Sequence, residues 1–381
     1  MQRIYINQFK FHFIRFEFLK ESLLNHLCCT FCYEDFYLEI LQTNPHDSTE
    51  IEEGFLSCKK CGRKYCITNG IARILTPGFF HLFDSAQFKD KYPTEFESVI
   101  DSHKSPCDNY LGNVNWNTEE INFWDEKYKR DQENEKIKYQ FNVKKAPLTQ
   151  RSWQNRLVPR ERVIFRHIRD KIQSQSYVLE VGCGKAITVS NLLNPKDLNF
   201  SYVGMDLSSP ALELSKKFVL GDFIQCPTES IPFKSESADV LLSFGCLEHI
   251  PGHEMNIPIL LDKIKKGGYF AIQESLGRPK FLTRFLPFLK NLMPGDSPHE
   301  ESIDLENTLK YLEDFEIIDI EFEASPIQTW MMYLFGPVAS RSANVFRIIE
   351  LIDKAAIKTL GRLFPIFDKG IVILLAKKFM G

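Results

Sequence analysis

The sequence predicts an α/β protein, a doubly wound and mostly parallel sheet of seven strands preceded by a small cysteine-rich module. Three observations carry this expectation. From about residue 171 onwards, short β-branched runs alternate with helical patterns, as βαβ units require. At Val178–Ala186 the chain reads VLEVGCGKA, an apolar run into G-x-G, which turns a strand sharply into a helix beside a ligand. Near the amino terminus, Cys29–Cys32 and Cys58–Cys61 form two C-x2-C pairs with 25 residues between them.

The strands in order are YVLEV, SYVGMD, DFIQC, ADVLLSF, GYFAIQES, FEIIDIEFE and GIVILLAKK. Helical stretches separate them, among them SPALELSKKF, with Ser209 expected as N-cap ahead of Pro210. The last two strands read as an antiparallel pair, which predicts one reversed strand at the sheet edge. Composition divides the chain into a cysteine-rich domain at 1–77, a polar linker at 78–119 and an α/β domain at 120–381. Long excursions at 276–301 and 324–367 interrupt the last of these. No internal repeat is visible.

With 381 residues, 44% hydrophobic content and a net charge of −3, the composition is that of an ordinary globular protein. That balance argues against a surface coated in basic charge for nucleic acid. No run approaches the roughly 18 apolar residues of a membrane-crossing helix. The first fifteen residues alternate aromatic and basic types and lack the apolar core of a signal peptide. Ten cysteines without such a signal point to a reducing compartment, so a cytoplasmic location is expected.

Zinc takes four soft ligands in a tetrahedron, and a two-residue gap lets one tight turn supply two thiolates. Cys29, Cys32, Cys58 and Cys61 are the expected ligands, with Cys28 competing with Cys29 for the first position. Gly62 follows the second pair and permits the turn such a site needs. Cys66 alternates with Tyr65 and Ile67 and reads as strand packing. Four cysteine ligands leave no open coordination position, so the zinc is expected to be structural; iron is the minor alternative. The stretch FLKESLLNHLCCTFC…GFLSCKKCGRKYCITNGIARIL resembles the small zinc ribbon of activator subunits of tRNA and protein methyltransferases. Thr30 stands where that family usually has a proline.

The G-x-G loop is read by what surrounds it. A dinucleotide fingerprint needs a third glycine where Ile187 stands, and Glu180 would oppose a pyrophosphate while attracting a sulfonium cation. Asp206 ends the next strand, 22 residues beyond Gly184, where a carboxylate accepts from ribose hydroxyls. Its bland role is capping the following helix, which Ser208 and Ser209 already cover. S-adenosylmethionine is therefore favoured over NAD.

Together with FWDEKY (123–128), TESIPFKSESADVLLSFGCLEHI (228–250) and LLDKIKKGGYFAIQES (260–275), the loop resembles class I S-adenosylmethionine-dependent methyltransferases over roughly residues 120–275. That resemblance implies a Rossmann-like methyltransferase sheet, with a covering helix at FWDEKY. It carries cofactor contacts onto Glu180, Gly182, Cys183, Gly184, Asp206, Leu207, Glu229 and Gly245. The family often has an Asp where Pro227 stands; Glu229, or Asp222 under a shifted alignment, takes its place. Asp239 is expected to anchor the start of its strand.

Methyl transfer from a sulfonium needs alignment and exclusion of water, and a base only where the acceptor must lose a proton. LEHIP follows the fourth strand, which nominates His249 and then Glu248, with Glu274 and His253 behind them. The excursion RPKFLTRFLPFLKNLM (278–293) places Leu282, Phe285, Leu286 and Leu289 at helical spacing beside Lys280, Arg284 and Lys290. The second contains WMMYLF and the amphipathic RIIELIDKAAIKTLGRLF. Such segments lid an active site or lie on a membrane surface. The expected acceptor is small and hydrophobic, lipid-linked or glycan-type. The rival is RNA, after the 23S rRNA guanine methyltransferases that also join a zinc module to this kind of domain. Arg151, Arg156, Arg160, Arg162 and Arg166 would then contact phosphates. A non-catalytic scaffold whose ribbon recruits a partner stands third, and no feature of the sequence names that partner.

Overall fold

The computed structural model describes residues 19–83, 86–104, 118–133, 168–169, 171–186, 199–275, 303–323, 343–360 and 371–380, with Val189, Glu301 and Met331 besides. Among the described residues, twelve strands form one sheet. Its carboxyl-terminal part comprises β6 (Tyr177–Val181), β7 (Ser201–Asp206), β8 (Asp222–Gln225), β9 (Ala238–Phe244), β10 (Ile264–Ser275), β11 (Phe315–Glu323) and β12 (Ile371–Lys378). These lie in the order β8-β7-β6-β9-β10-β12-β11. β6 pairs in parallel with both β7 and β9, so the strand order reverses between them. In open α/β sheets that reversal opens a crevice beyond the strand ends. Every residue of β6 is buried, as a strand covered on both faces must be.

The reversed strand is not at the edge, which corrects the expectation from sequence. β12 runs antiparallel to both β10 and β11 and lies between them. The reason is legible in the two strands. GIVILLAKK is apolar on both faces, and its Leu374, Leu375 and Ala376 are buried. FEIIDIEFE carries Glu316, Asp319, Glu321 and Glu323, charges that an edge strand tolerates.

The cysteine-rich module adds β1 (Leu19–Lys20), β2 (Phe36–Asn44), β3 (Asp47–Cys58), β4 (Lys64–Thr68) and β5 (Ile71–Arg73). It extends the same sheet, because β5 pairs in parallel with β8 through Ile71–Phe223, Ala72–Ile224 and Arg73–Gln225. One apolar core accordingly contains Leu19, Leu23 and Leu27 together with Ile224 and Phe233. The buried Arg73 crosses the seam, donating to Ser209 Oγ at 2.8 Å, Gln225 Oε1 at 3.1 Å and Glu213 Oε1 at 2.9 Å. Asp222 accepts from the Lys20 backbone N–H at 2.8 Å and so serves this join.

Helices α1 (Ala86–Lys91) and α2 (Pro93–Ser102) pack Phe88 and Val99 on Phe55 and Cys66. α3 (Thr118–Glu133) reaches α4 (Ser209–Phe218) through a bond from Gln132 Nε2 to Pro210 O at 2.9 Å. The N-cap of α4 is Ser208, one residue before the expected Ser209. Extended Ser208 accepts from the Ala211 N–H, and Pro210 falls inside the first turn, where no donor is missed. α5 (Asn256–Asp262), α6 (Leu305–Lys310) and α7 (Ala343–Leu360) follow along the chain.

The first eighteen residues, Ile187, the five arginines from Arg151 to Arg166 and the segment 278–293 lie outside the described residues, as does much of 324–367 apart from α7. Among the described residues, no helix is long and apolar enough to cross a membrane.

Candidate cofactor cleft and cysteine centre

At the carboxyl ends of β6, β7 and β9 the backbone turns through Gly182, Gly184 and Gly245, with φ of 63°, 52° and 63°. Two of these glycines are also required by space. A Cβ on Gly182 would lie 2.0 Å from Cys246 Sγ, and one on Gly184 would lie 2.7 Å from the Tyr128 hydroxyl. Asp206, closing β7, is held by the loop: Gly184 N–H donates to Oδ2 and Ser208 N–H to Oδ1, both at 2.8 Å. Burial raises Asp206 to about 6, against the pull of those backbone donors.

These elements enclose a cleft that is open to solvent on one side. Gly182, Asp206, Leu207, Gly245 and His249 all line it. Glu180 and Cys183 do not. Both are buried beneath the loop, and the Tyr202 hydroxyl donates to Glu180 Oε2 at 2.6 Å. Glu229 follows Thr228 on a short 3-10 turn (Thr228–Ser230), and it is Thr228 and Cys226 that reach the cleft wall.

The candidate bases divide in the same way. His249 lines the cleft from the 3-10 turn Leu247–His249. Glu248 turns toward β10 and accepts from the Ser275 N–H at 2.9 Å, with its Oε1 3.6 Å from His249 Nε2. Glu274 is buried at the end of β10, where it accepts from Ser243 Oγ at 3.1 Å and the Cys246 N–H at 3.3 Å. Burial, then the neighbouring Glu248 charge, raise Glu274 to about 8. His253 is buried outside the cleft, 3.8 Å from Glu301. Asp239 accepts from the Tyr177 N–H at 2.7 Å and pairs with Lys265, fixing the start of β9.

α3 forms the cleft roof; it carries the FWDEKY stretch expected to cover the cofactor and adds Glu120, which sequence reasoning did not name. Trp124, Asp125 and Tyr128 line the cleft, and Asp125 accepts from Ser208 Oγ at 2.5 Å. Glu120 is buried at the same wall, accepts from Trp124 Nε1 at 2.7 Å, and lies 3.0 Å from His249 Nδ1. The FWDEKY resemblance points to the helix, but no spacing in the sequence joins residue 120 to residue 249.

In the amino-terminal module, the Sγ atoms of Cys29, Cys32, Cys58 and Cys61 all lie within 4.8 Å of one another. Cys29–Cys61 are 3.7 Å apart and Cys32–Cys58 3.3 Å. Four sulfurs at ~2.3 Å from a zinc ion stand about 3.8 Å apart, so this donor set fits tetrahedral zinc. Cys28 is buried outside the group. The two turns are alike: Gly62 N–H donates to Cys58 O at 3.2 Å and Tyr33 N–H to Cys29 O at 2.9 Å. Both residues are left-handed, with φ of 72° at Gly62 and 60° at Tyr33. Burial pushes the Cys61 thiol up, but hydrogen bonds from Arg63 and neighbouring thiols bring it down to about 7.

A glycine loop after the first strand of a sheet in this order, with a carboxylate closing the second, is the arrangement expected of a methyltransferase domain of the S-adenosylmethionine-dependent class. Residues 179–272 match the methyltransferase domain family, and residues 20–70 match the Trm112p-like family. The chain therefore joins a Trm112p-like zinc ribbon to an S-adenosylmethionine-dependent methyltransferase domain. It is 33% identical over 99 residues to the phthiotriol/phenolphthiotriol dimycocerosates methyltransferase of Mycobacterium tuberculosis, over 24% of this chain and 35% of that protein. The Mycobacterium bovis protein of that name matches with the same figures. The chain thus spans about a third of the length of the curated relatives it matches. Among solved structures, an S-adenosylmethionine-dependent methyltransferase from Archaeoglobus fulgidus is 19% identical with a TM-score of 0.38, covering 59% of this chain and 94% of that one. The [4+2]-cyclase SpnF is 19% identical with a TM-score of 0.38, covering 60% and 81%.

Proposed function

We propose that this protein transfers a methyl group from S-adenosylmethionine to a small hydrophobic or lipid-linked acceptor. The observation that carries the reading is a cleft in which three carboxylates, Asp206, Asp125 and Glu120, stand among apolar groups such as Ile121, Trp124, Leu207 and Ile250. Gly182 and Gly184 would let the cofactor approach the backbone, Asp206 would accept from the ribose, and Leu207, Thr228 and Cys226 would flank the adenine. When bound, the cofactor supplies an electrophilic methyl group whose sulfur leaves without protonation. His249 is the base we assign, with Glu248 supporting its turn.

Support for an apolar acceptor also comes from α7, which exposes Ile348, Leu351 and Ile352 on one side and buries Ile349 and Ala356 on the other. The mycobacterial relatives are named for lipid substrates, in keeping with this. The RNA reading rests on arginines outside the described residues, and no feature of the cleft favours it. The deciding experiment incubates the purified protein and methyl-labelled S-adenosylmethionine with a cell extract. Label in the organic, lipid-bearing phase is expected; label confined to RNA would overturn the reading.

A further inference from the structure

We infer that the segment after the ribbon, residues 75–83, is a strut of the cofactor cleft, in which Leu75, Phe79 and Gln225 are positioning residues that set the gap between Leu207 and the α3 roof. This inference rests on the methyl-transfer reading above, which puts adenine beside Leu207. The segment lies between the two family matches, at 20–70 and 179–272, so neither accounts for it. Its sequence, LTPGFFHLF, opens a 3-10 turn, Pro77–Leu82, just past β5. Pro77 has the fixed φ that suits a first helical position, and Phe79 N–H donates to Thr76 O at 2.8 Å. Leu75, Phe79 and Ile121 form one buried apolar cluster, and Leu207 packs against it. Ile121 belongs to α3 and Leu207 follows Asp206, and both line the cleft. The segment therefore packs with the roof and the wall together.

A polar contact ties the same elements independently. Gln225 ends β8 and is fully buried. Its Nε2 donates to Leu207 O at 2.9 Å and to Leu82 O at 3.4 Å, and its Oε1 accepts from Arg73 at 3.1 Å. One amide thus joins the carbonyl after Asp206, the end of the 3-10 turn and the cation at the β5–β8 seam. Leu207 is held twice, by its backbone through Gln225 and by its side chain through the cluster. On α3 the later turns are tied by polar bonds, Ser208 to Asp125, Gln132 to Pro210 and Lys185 to Asp131. The first turn has Glu120 beside His249 and Ile121 in the cluster. Neighbours of an emptied, close-packed position relax only in part, so a lost side chain there is felt along the cluster. A gap that is no longer preformed then costs affinity, because binding must order both of its sides.

The test follows backbone hydrogen exchange of α3 in the full chain without cofactor. It compares the parent protein with Phe79→Ala, with Phe79→Leu and, as a matched cavity, with Phe88→Ala. Phe88 is buried with Phe55, Cys66 and Val99, none of which lines the cleft. The expected result is about tenfold faster exchange at residues 118–125 in Phe79→Ala, most of it restored in Phe79→Leu, and no change in Phe88→Ala. Unchanged exchange in folded Phe79→Ala, or an equal rise in Phe88→Ala, would overturn the strut. If Phe79→Ala does not fold, Leu75→Val replaces it, read against Val99→Ala in the same way. Calorimetry then reads the cleft itself. The Kd for S-adenosylmethionine should rise about tenfold in Phe79→Ala and hold the parent value in Phe88→Ala, and a Kd indifferent to Phe79→Ala overturns the inference. A parent protein that fails to bind S-adenosylmethionine sinks the methyl-transfer reading instead, and the exchange result then decides the strut alone.

Discussion

Asp206 is the residue on which cofactor affinity should turn. Both its oxygens accept backbone N–H bonds, and burial holds it near 6. Replacing it by Ala removes a charged acceptor, a change worth about 1.5–3 kcal/mol, or a tenfold to hundredfold loss of S-adenosylmethionine affinity by calorimetry. The pH dependence has a definite sign. Cofactor binding draws on the ionised carboxylate, so affinity is full above pH 7 and declines as pH falls through about 6. At pH 5 only about a tenth of Asp206 is ionised, which predicts a roughly tenfold weaker Kd than at neutral pH. A flat profile would show that the ribose is held elsewhere. A second residue-scale prediction concerns Tyr33, exposed and left-handed where the equivalent turn uses Gly62. Tyr33→Gly should stabilise the protein by about 0.5–1 kcal/mol in urea titration, because only the tyrosine meets a Cβ penalty there.

At the scale of elements, the join between β5 and β8 makes the ribbon part of the catalytic sheet. Arg73 donates to three partners across it, and truncating that buried cation removes the charged donor from Ser209, Gln225 and Glu213. Arg73→Ala should therefore cost about 2–4 kcal/mol, read as a lowered midpoint of unfolding. Zinc should act over the same distance. Chelation or Cys58→Ser removes a ligand set that closes the β3–β4 turn, and β3 and β4 are the strands on which β5 rests. Loss of metal should then lower the melting temperature of the methyltransferase half as well, seen as one cooperative transition moving down. Two separate transitions, with the second unmoved, would show that the seam carries no load.

For the molecule as a whole, the parallel strands were legible because burial on both faces writes them as short apolar runs between helical patterns. YVLEV, SYVGMD and ADVLLSF form at the bounds the pattern sets, and so does the half-exposed antiparallel edge strand FEIIDIEFE. The glycine loop and the four cysteines were legible for a different reason. Each is local chemistry, a backbone that must turn at φ above zero or two thiolates that must share one knuckle, and local constraints leave local spacing. The place of β12 was harder to read, since strand order depends on which edge each strand finds after the chain has crossed over. Glu120 was invisible for the same reason: its contact with His249 joins residues 129 positions apart.

By itself, then, the amino-acid order determined the strands of the α/β half, the cysteine cluster and the class of cofactor, because periodicity, turn geometry and ligand spacing act over a few residues. Only the tertiary structure decided that the ribbon shares one sheet and one core with the methyltransferase domain, that Glu180 lies beneath the loop instead of in the cleft, and that a carboxylate from α3 meets the imidazole after β9. Those facts depend on packing and crossover connections, which bring distant residues together without leaving a period or a spacing in the chain.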